Sequence, residues 1–191
     1  MSDRFNAGMD SDEYEPYAYA AALFLYSRDN GYSHITPALK YHRNLSAGRA
    51  FSSLLASELS DSALFVDVDA VIPVPLHWMR RWTRGYNQAE IVAESVSAEF
   101  GCSCFPRMLQ RNTNTASQTT LDAKAKEANV RNAFSVRKSY RSNPPELRHI
   151  LLVDDVFTSG STMRACYSAL REVYPYEVRI SVATLGFVEK G

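Results

Sequence analysis

The chain contains the stretch ILLVDDVFTSGST at residues 150–162, where an apolar run leads through two acids into a small, hydroxyl-rich turn. The consecutive apolar residues Ile150 to Val153 predict a buried strand of a parallel sheet. We expect a helix to follow from Ser161 to Val173. A turn between a buried strand and a helix N-terminus binds anions, because backbone amides and the helix dipole both direct positive charge toward it.

The residues of this turn predict a site for a sugar phosphate. Gly160 lets the backbone approach a ligand closely, and the amides of residues 158–162 can point toward a phosphate. Asp154 and Asp155 would repel a bare phosphate but suit the vicinal hydroxyls of a ribose as hydrogen-bond acceptors. A plainer interpretation stays open, in which Asp155 starts a turn and Ser161 caps the helix. The chain has no Walker lysine after Gly160 and no G-x-G-x-x-G sequence, which argues against P-loop and dinucleotide sites.

The rest of the chain alternates predicted strands with predicted helices. In chain order they are a strand in Tyr17–Tyr26, a helix in Ser46–Leu59 capped by Ser46, a strand in Asp69–Pro75, a helix in Asn87–Phe100 and a strand in Val178–Leu185. Asn87 and Glu90 form a capping box, and Gly101 stands where a helix ends in a left-handed residue. This order predicts an α/β fold with a mostly parallel central sheet flanked by helices, with ligands at the carboxyl ends of strands.

Two segments depart from that pattern. Residues 1–20 hold five acids against Arg4 alone, so we predict that 1–16 form an acidic mobile segment ahead of a domain over 17–191. Residues 111–134 show little periodicity and predict a long flexible loop. Residues 107–141 hold eight basic residues against Asp122 and Glu127, which suits either an anionic ligand or a solvated loop.

Composition narrows the class of protein. A chain of 191 residues with zero formal net charge fits one domain and lacks the overall positive field of a nonspecific nucleic-acid binder, so any DNA role must use a local patch. Three cysteines, two of them in a C-x-C pair, indicate neither a disulfide framework nor a four-ligand zinc site. The four histidines lack metal-ligand spacing and are expected to be surface or satisfied core residues. No apolar run or leader pattern predicts a membrane span, so we expect a cytoplasmic protein.

The stretch 153–162 resembles the phosphoribosyl pyrophosphate (PRPP) motif of type I phosphoribosyltransferases. More narrowly, the chain resembles the ComF family of competence-associated proteins. The narrower resemblance rests on Leu39-Lys40-Tyr41, Val74-Pro75-Leu76, Arg84-Gly85-Tyr86-Asn87-Gln88, Arg111-Asn112-Thr113, Gln118-Thr119, Leu121, Asn129-Val130 and Ala133-Phe134.

The resemblance implies a type I phosphoribosyltransferase-like fold and roles for individual residues. Asp154 and Asp155 would bind the ribose hydroxyls and be the catalytic pair. The remaining residues expected to contact PRPP are Val156, Phe157, Thr158, Ser159, Gly160, Ser161, Thr162, Arg80 and Arg84. Arg80 and Arg84 lie in the implied pyrophosphate loop, Pro75 to Arg84, although a solvated surface turn explains them as well. Mg²⁺ is expected through the ligand rather than through a protein metal site, with His77 near that loop and residues 111–134 closing over PRPP.

Two departures from the family limit what carries over. ComF-like proteins commonly begin with a Cys-rich zinc segment, yet no CxxC precedes Tyr17, so we expect a truncated or zinc-free version. Lys126 stands where the family usually has an arginine, which keeps the charge but loses the guanidinium fork. The functions left open are transfer of a phosphoribosyl group to an unknown acceptor, PRPP binding without turnover, a competence or DNA-uptake partner, and a scaffold without ligand. A homodimer is also left open.

Overall fold

A sheet of five parallel strands forms the centre of the protein. The computed structural model describes residues 1–6, 16–26, 45–76, 86–112 and 133–188. The strands are β1 Ala20–Tyr26, β2 Ala70–Pro73, β3 Ser103–Cys104, β4 Leu109–Arg111, β5 Phe134–Val136, β6 His149–Phe157 and β7 Arg179–Val188. The helices are α1 Ser2–Asn6, α2 Leu45–Ser60, α3 Gln88–Phe100, α4 Lys138–Ser142 and α5 Ser161–Arg171.

The order of strands in the main sheet is β1-β7-β6-β2-β3, and β4 pairs with β5 in a separate antiparallel ladder. Both faces of the main sheet are covered. Ile150 and Leu152 pack in a cluster with α1, α5 and the β4–β5 pair, whereas Leu151 and Val153 pack in a second cluster with α2 and α3. Burial on both faces explains why β6 begins as an unbroken apolar run rather than an alternating one.

Asn87 caps the start of helix α3 and Gly101 ends it, as the sequence predicts, whereas the capping-box bond of Glu90 stays a prediction. The Asn87 side chain accepts a hydrogen bond from the Ala89 amide at 3.3 Å, and Gly101 adopts a left-handed conformation with φ 62°. The Asn87 amide group also donates to the Val74 carbonyl at 3.1 Å. This second bond fastens the start of α3 to the end of β2, so the residues on either side of 77–85 are tied together.

Several element boundaries differ from the predictions. Strand β6 continues through Asp154 and Asp155 to Phe157, and β7 runs from Arg179 to Val188. Helix α2 begins at Leu45, so Ser46 lies inside the helix and is not its cap. In the sequence, polar residues near the end of a strand or helix suggest that the element stops there. In the structure, pairing with neighbouring strands and packing extend the element beyond those residues.

Residues 1–6 differ most from expectation, because an acidic mobile segment was predicted there. They instead form α1, whose Phe5 is 1% exposed. Burial of this one aromatic side chain outweighs the polar composition around it. Residues 7–15, which complete the predicted segment, lie outside the described residues. Within the described part of the chain, no helix combines the length and apolar character needed to cross a membrane.

Candidate functional site

The turn between β6 and α5 lies at the carboxyl edge of the main sheet. Strand β6 sits between β7 and β2, and residues 158–160 connect its end to Ser161, the first residue of α5. The neighbouring strand β2 ends four residues earlier, where Pro73 pairs with Val153 and the Val74 amide donates to the Val153 carbonyl at 2.8 Å, so β6 extends beyond β2 toward the turn. The sequence-predicted turn therefore occupies the edge at which parallel α/β sheets bind ligands.

Gly160 is required at its position on two grounds. Its φ of 74° lies in the left-handed region, and a Cβ atom there would lie 2.5 Å from Phe157 Cζ and 2.9 Å from Arg164 Nη1. Gly160 is also the N-cap of α5 and has no side chain with which to bond the helix amides, although the Ser161 amide makes a long hydrogen bond of 3.4 Å to Ser159 Oγ. The interpretation in which Ser161 caps the helix is therefore wrong, because Ser161 is already the first helical residue. A helix whose N-cap residue has no side chain leaves amides in its first turn that water or a ligand can satisfy.

Small hydroxyl groups surround this helix N-terminus. Thr158 and Ser159 are exposed, and Ser161 and Thr162 are half-buried. The Ser159 and Ser161 hydroxyls lie 2.9 Å apart, and the Ser161 amide makes a long contact of 3.4 Å with Ser159 Oγ. The turn thus brings the Ser159 and Ser161 hydroxyls and the Ser161 amide together.

Asp154 and Asp155 are both half-buried within β6. Asp154 Oδ1 accepts from the Asp155 amide, and Asp155 Oδ1 accepts from the Val156 amide, each at 2.8 Å. These bonds fix the orientation of both carboxylates. A carboxylate offers about four acceptor positions. The geometry is therefore compatible with the structural interpretation of Asp155 and with acceptance of ribose hydroxyls.

The regular alternation of β6 breaks beside these two acids. Phe157 packs in the same cluster as Ile150 and Leu152, although strict alternation would place it with Leu151 and Val153. The side chain before the turn is thereby directed into the core beneath α1 and α5.

Arg164 is a site residue that the sequence reasoning missed. Its Nη2 donates to the Ser159 carbonyl at 3.1 Å, which places a guanidinium beside the turn. Arg164 lies four positions after Gly160, which is about one helical turn. That spacing was the available signal, because a side chain there reaches back over the helix N-terminus.

Cys166 lies under the same end of β6 and is fully buried. Burial raises the pKa of its thiol well above the usual value; Asp154 raises it further and Arg111 opposes the shift. Asp154 and Arg111 are therefore both within electrostatic range of one buried sulfur atom. Arg111 lies in β4, with its guanidinium 5.3 Å from the Phe134 ring centroid in β5. The two ends of the predicted long loop thus meet on the Asp154 side of the sheet.

Several predicted residues lie outside the described residues: Arg80, Arg84, His77, His34, His42, Lys126 and most of the 111–134 loop. Their roles stay predictions. His149 is described and is a satisfied core residue, as predicted. It is 0% exposed, with Nδ1 2.7 Å from Asp67 Oδ1 and Nε2 2.7 Å from Ser181 Oγ. It lies at the start of β6, at the opposite edge of the sheet from the turn.

No group of three or more His, Cys, Asp or Glu side chains in the described ranges is arranged to hold a metal ion. The oxygen donors at the turn are the Asp154 and Asp155 carboxylates and the surrounding hydroxyls. This donor set suits a hard cation such as Mg²⁺, which commonly takes one or two carboxylates together with ligand phosphates and water.

Comparison with known proteins gives the family. Residues 45–186 match the family described as phosphoribosyl transferase domain. Competence protein F of Haemophilus influenzae is 37% identical over 112 residues, covering 59% of this chain and 48% of that protein. The DNA utilization protein YhgH of Escherichia coli K12 is 32% identical over 128 residues, covering 65% of this chain and 54% of that protein. The chain spans about half the length of the curated relatives it matches.

Among solved structures, the B. subtilis glutamine PRPP amidotransferase complexed with ADP and GMP aligns with a TM-score of 0.46 and 22% identity, covering 72% of this chain and 26% of that one. The predicted fold class is confirmed by the family match and by the parallel five-stranded sheet with helices on both faces. The chain belongs to the phosphoribosyl transferase domain family, and its relatives confirm the resemblance to ComF proteins.

Proposed function

We propose that the chain binds PRPP with Mg²⁺ at the β6–α5 turn and transfers the phosphoribosyl group to an acceptor. The observation that supports this most strongly is the α5 N-terminus, whose N-cap Gly160 offers no capping side chain, together with two oriented carboxylates in β6 before the turn. The amides and hydroxyls of residues 158–162 would hold the 5′-phosphate. Asp154 and Asp155 would accept hydrogen bonds from the ribose hydroxyls.

The reaction would displace pyrophosphate from C1 of the ribose, through a transition state in which the sugar carries positive charge. The two carboxylates face that charge, while Arg80 and Arg84 interact with the leaving pyrophosphate. Mg²⁺ supplies further charge neutralisation when bound to the diphosphate. The protein's contribution is to position the ligand and stabilise developing charge.

Calorimetric titration of PRPP, with ribose 5-phosphate and inorganic phosphate for comparison, tests the binding proposal. A screen of bases and amines for PRPP-dependent release of pyrophosphate tests the transfer. Binding with release supports the enzyme, and binding without release supports a non-catalytic PRPP module. No binding of PRPP would contradict both and leave a scaffold role.

A role with DNA is a second candidate, and one surface favours it. Arg107, Arg137 and Lys138 are exposed, make no ion pair with a described residue and form what we call the basic patch. The Arg137 amide donates to the Met108 carbonyl at 2.9 Å, so the backbone brings the three residues together at one end of the β4–β5 ladder. Three cations that form no ion pair with a described acid suit successive phosphates of a nucleic-acid backbone. The names of the relatives, competence protein F and DNA utilization protein, agree with this candidate.

Fluorescence anisotropy with a labelled single-stranded oligonucleotide tests the basic patch. Replacing Arg107, Arg137 and Lys138 together by glutamine should reduce the salt dependence of log K by about 2, at roughly 0.7 per lost phosphate contact. Arg49→Gln, at an exposed position in α2, should change neither affinity nor slope. An unchanged slope in the triple variant would exclude the patch.

A further inference from the structure

The N-terminal helix buries one aromatic side chain directly against the residue that precedes the phosphate turn. The Phe5 ring lies 4.5 Å from the Phe157 ring and 4.8 Å from the Phe187 ring, measured between centroids. Phe157 and Phe187 stack on each other at 5.2 Å with 10° between their planes. These three residues, which we call the aromatic trio, join α1 to the ends of β6 and β7.

Helix α1 is held in place at both of its ends. The Ser2 hydroxyl accepts from the Ala20 amide at 3.0 Å, where β1 begins. The Asn6 side chain accepts from the Tyr17 amide at 3.0 Å. Each bond uses a backbone donor just before or at the start of β1. Helix α1 is thus attached to the edge strand of the sheet, and Phe5 enters the core from a defined position.

The aromatic trio contacts the turn through Phe157. A Cβ atom placed on Gly160 would lie 2.5 Å from Phe157 Cζ and 3.1 Å from Phe157 Cε2, so the Phe157 ring lies directly against the Gly160 backbone. Phe5 contacts the same ring, with 4.5 Å between the two centroids. Removing Phe5 opens a space into which Phe157 can rotate, and the Gly160 backbone loses the surface against which it rests.

We infer that Phe5 is a positioning residue for the phosphate turn, acting through Phe157, and that α1 docking is coupled to ligand binding. The inference rests on the proposed function for its ligand. Phe5 lies in the core beneath Phe157, so its effect is on the conformation of the turn. Because such coupling is reciprocal, a ligand that orders the turn must also favour the docked form of α1 by the same factor.

The test compares Phe5→Ala with a matched control in the full-length chain. Phe65 is also a buried phenylalanine, 3% exposed, but it lies in the cluster on the opposite face of the sheet. Phe5→Ala should weaken PRPP with Mg²⁺ by about tenfold, within the usual range of coupling between sites. Phe65→Ala should change the affinity less than about twofold, although its loss of buried surface is similar. Phe5→Leu, which restores apolar volume, should recover most of the affinity and keeps the test available if Phe5→Ala does not fold.

Amide hydrogen exchange without ligand provides a second readout. Exchange at residues 158–162 should accelerate in Phe5→Ala but not in Phe65→Ala, and PRPP should slow exchange of residues 1–6 in the unaltered chain. Equal effects of the two alanine variants on affinity and on exchange of the turn would overturn the inference. If the unaltered chain does not bind PRPP, the proposed function fails, and exchange of the turn in the ligand-free variants still decides the role of Phe5.

Discussion

Replacing Gly160 by alanine measures how much the phosphate turn depends on a missing side chain. Two costs combine at this position. A left-handed alanine is strained by roughly 1–2 kcal/mol, and its Cβ would lie 2.5 Å from Phe157 Cζ, an overlap that costs roughly 1–3 kcal/mol to relieve. We therefore expect the free energy of unfolding to fall by about 2–5 kcal/mol, with the Phe157 ring displaced and PRPP binding lost or strongly reduced.

Alanine substitutions at two other glycines distinguish the cost of the left-handed conformation from the cost of the Cβ overlap. Gly101 has φ 62° and nothing within 4 Å of its Cβ position, so Gly101→Ala should show the strain alone, about 1–2 kcal/mol. Gly48 lies inside α2 with nothing within 4 Å, so Gly48→Ala should stabilise the protein by roughly 0.5–1 kcal/mol.

Urea unfolding of the three variants and PRPP titration of each give the comparison. If Gly160→Ala costs no more than Gly101→Ala, the contact with Phe157 does not constrain the turn. If it binds PRPP as tightly as the parent chain, Gly160 does not shape the ligand site.

The other predictions concern single groups. Replacing Asp154 and Asp155 together by asparagine should weaken the binding of PRPP by roughly 1–3 kcal/mol. Inorganic phosphate should bind equally well or better, because it has no ribose hydroxyls to offer. If calorimetry shows an unchanged affinity for PRPP, the two acids are a structural element. Arg84→Ala should weaken the binding of PRPP by about 1.5–3 kcal/mol and that of ribose 5-phosphate much less, since only PRPP carries the pyrophosphate. Equal losses for the two ligands would place Arg84 outside the pyrophosphate loop. Arg164→Met should weaken the binding of PRPP and of ribose 5-phosphate alike, because the Arg164 guanidinium contacts the Ser159 carbonyl in the turn proposed to hold the 5′-phosphate. A loss of affinity confined to PRPP would contradict this. Burial lowers the pKa of His149, and the charge of Asp69 partly opposes that shift. The unfolded chain therefore takes up the proton at a higher pH than the folded chain, so the free energy of unfolding should fall as the pH drops below about 6.5. Urea midpoints measured from pH 5 to 8 should decline less steeply in His149→Gln than in the parent chain.

The sequence predicted the centre of the site because its signals are local. Ile150 to Val153 form an unbroken apolar run, and Gly160 with its hydroxyl neighbours forms a recognisable helix-opening turn. Asp154 and Asp155 concealed the true end of β6, since paired acids normally mark a strand boundary. They continue the strand because β6 keeps pairing with β7 beyond them, with Asp154 beside Thr184 and Val156 beside Gly186.

The contribution of α1 was not predictable in the same way. Phe5 stands among polar and acidic residues, and its partners Phe157 and Phe187 lie at the far end of the chain. No periodic pattern reports a contact of that kind. Arg164 is harder to predict for a simpler reason, because the recognisable motif ends at Thr162 whereas the first turn of α5 extends beyond it.

The position of β7 between β1 and β6 has a consequence for biosynthesis. The first strand of the sheet pairs with the last, and the hydrogen bond from the Tyr19 amide to Ser181 Oγ spans 162 residues. A chain that emerges from its N-terminus therefore exposes β1 without its sheet neighbour until residues 179–188 have been made. Pairings this distant in sequence form slowly, and an unpaired apolar strand is prone to associate with other chains. Nascent chains stopped before Arg179 should be the species that most needs chaperone protection, although the turn at residues 158–160 is already complete in them.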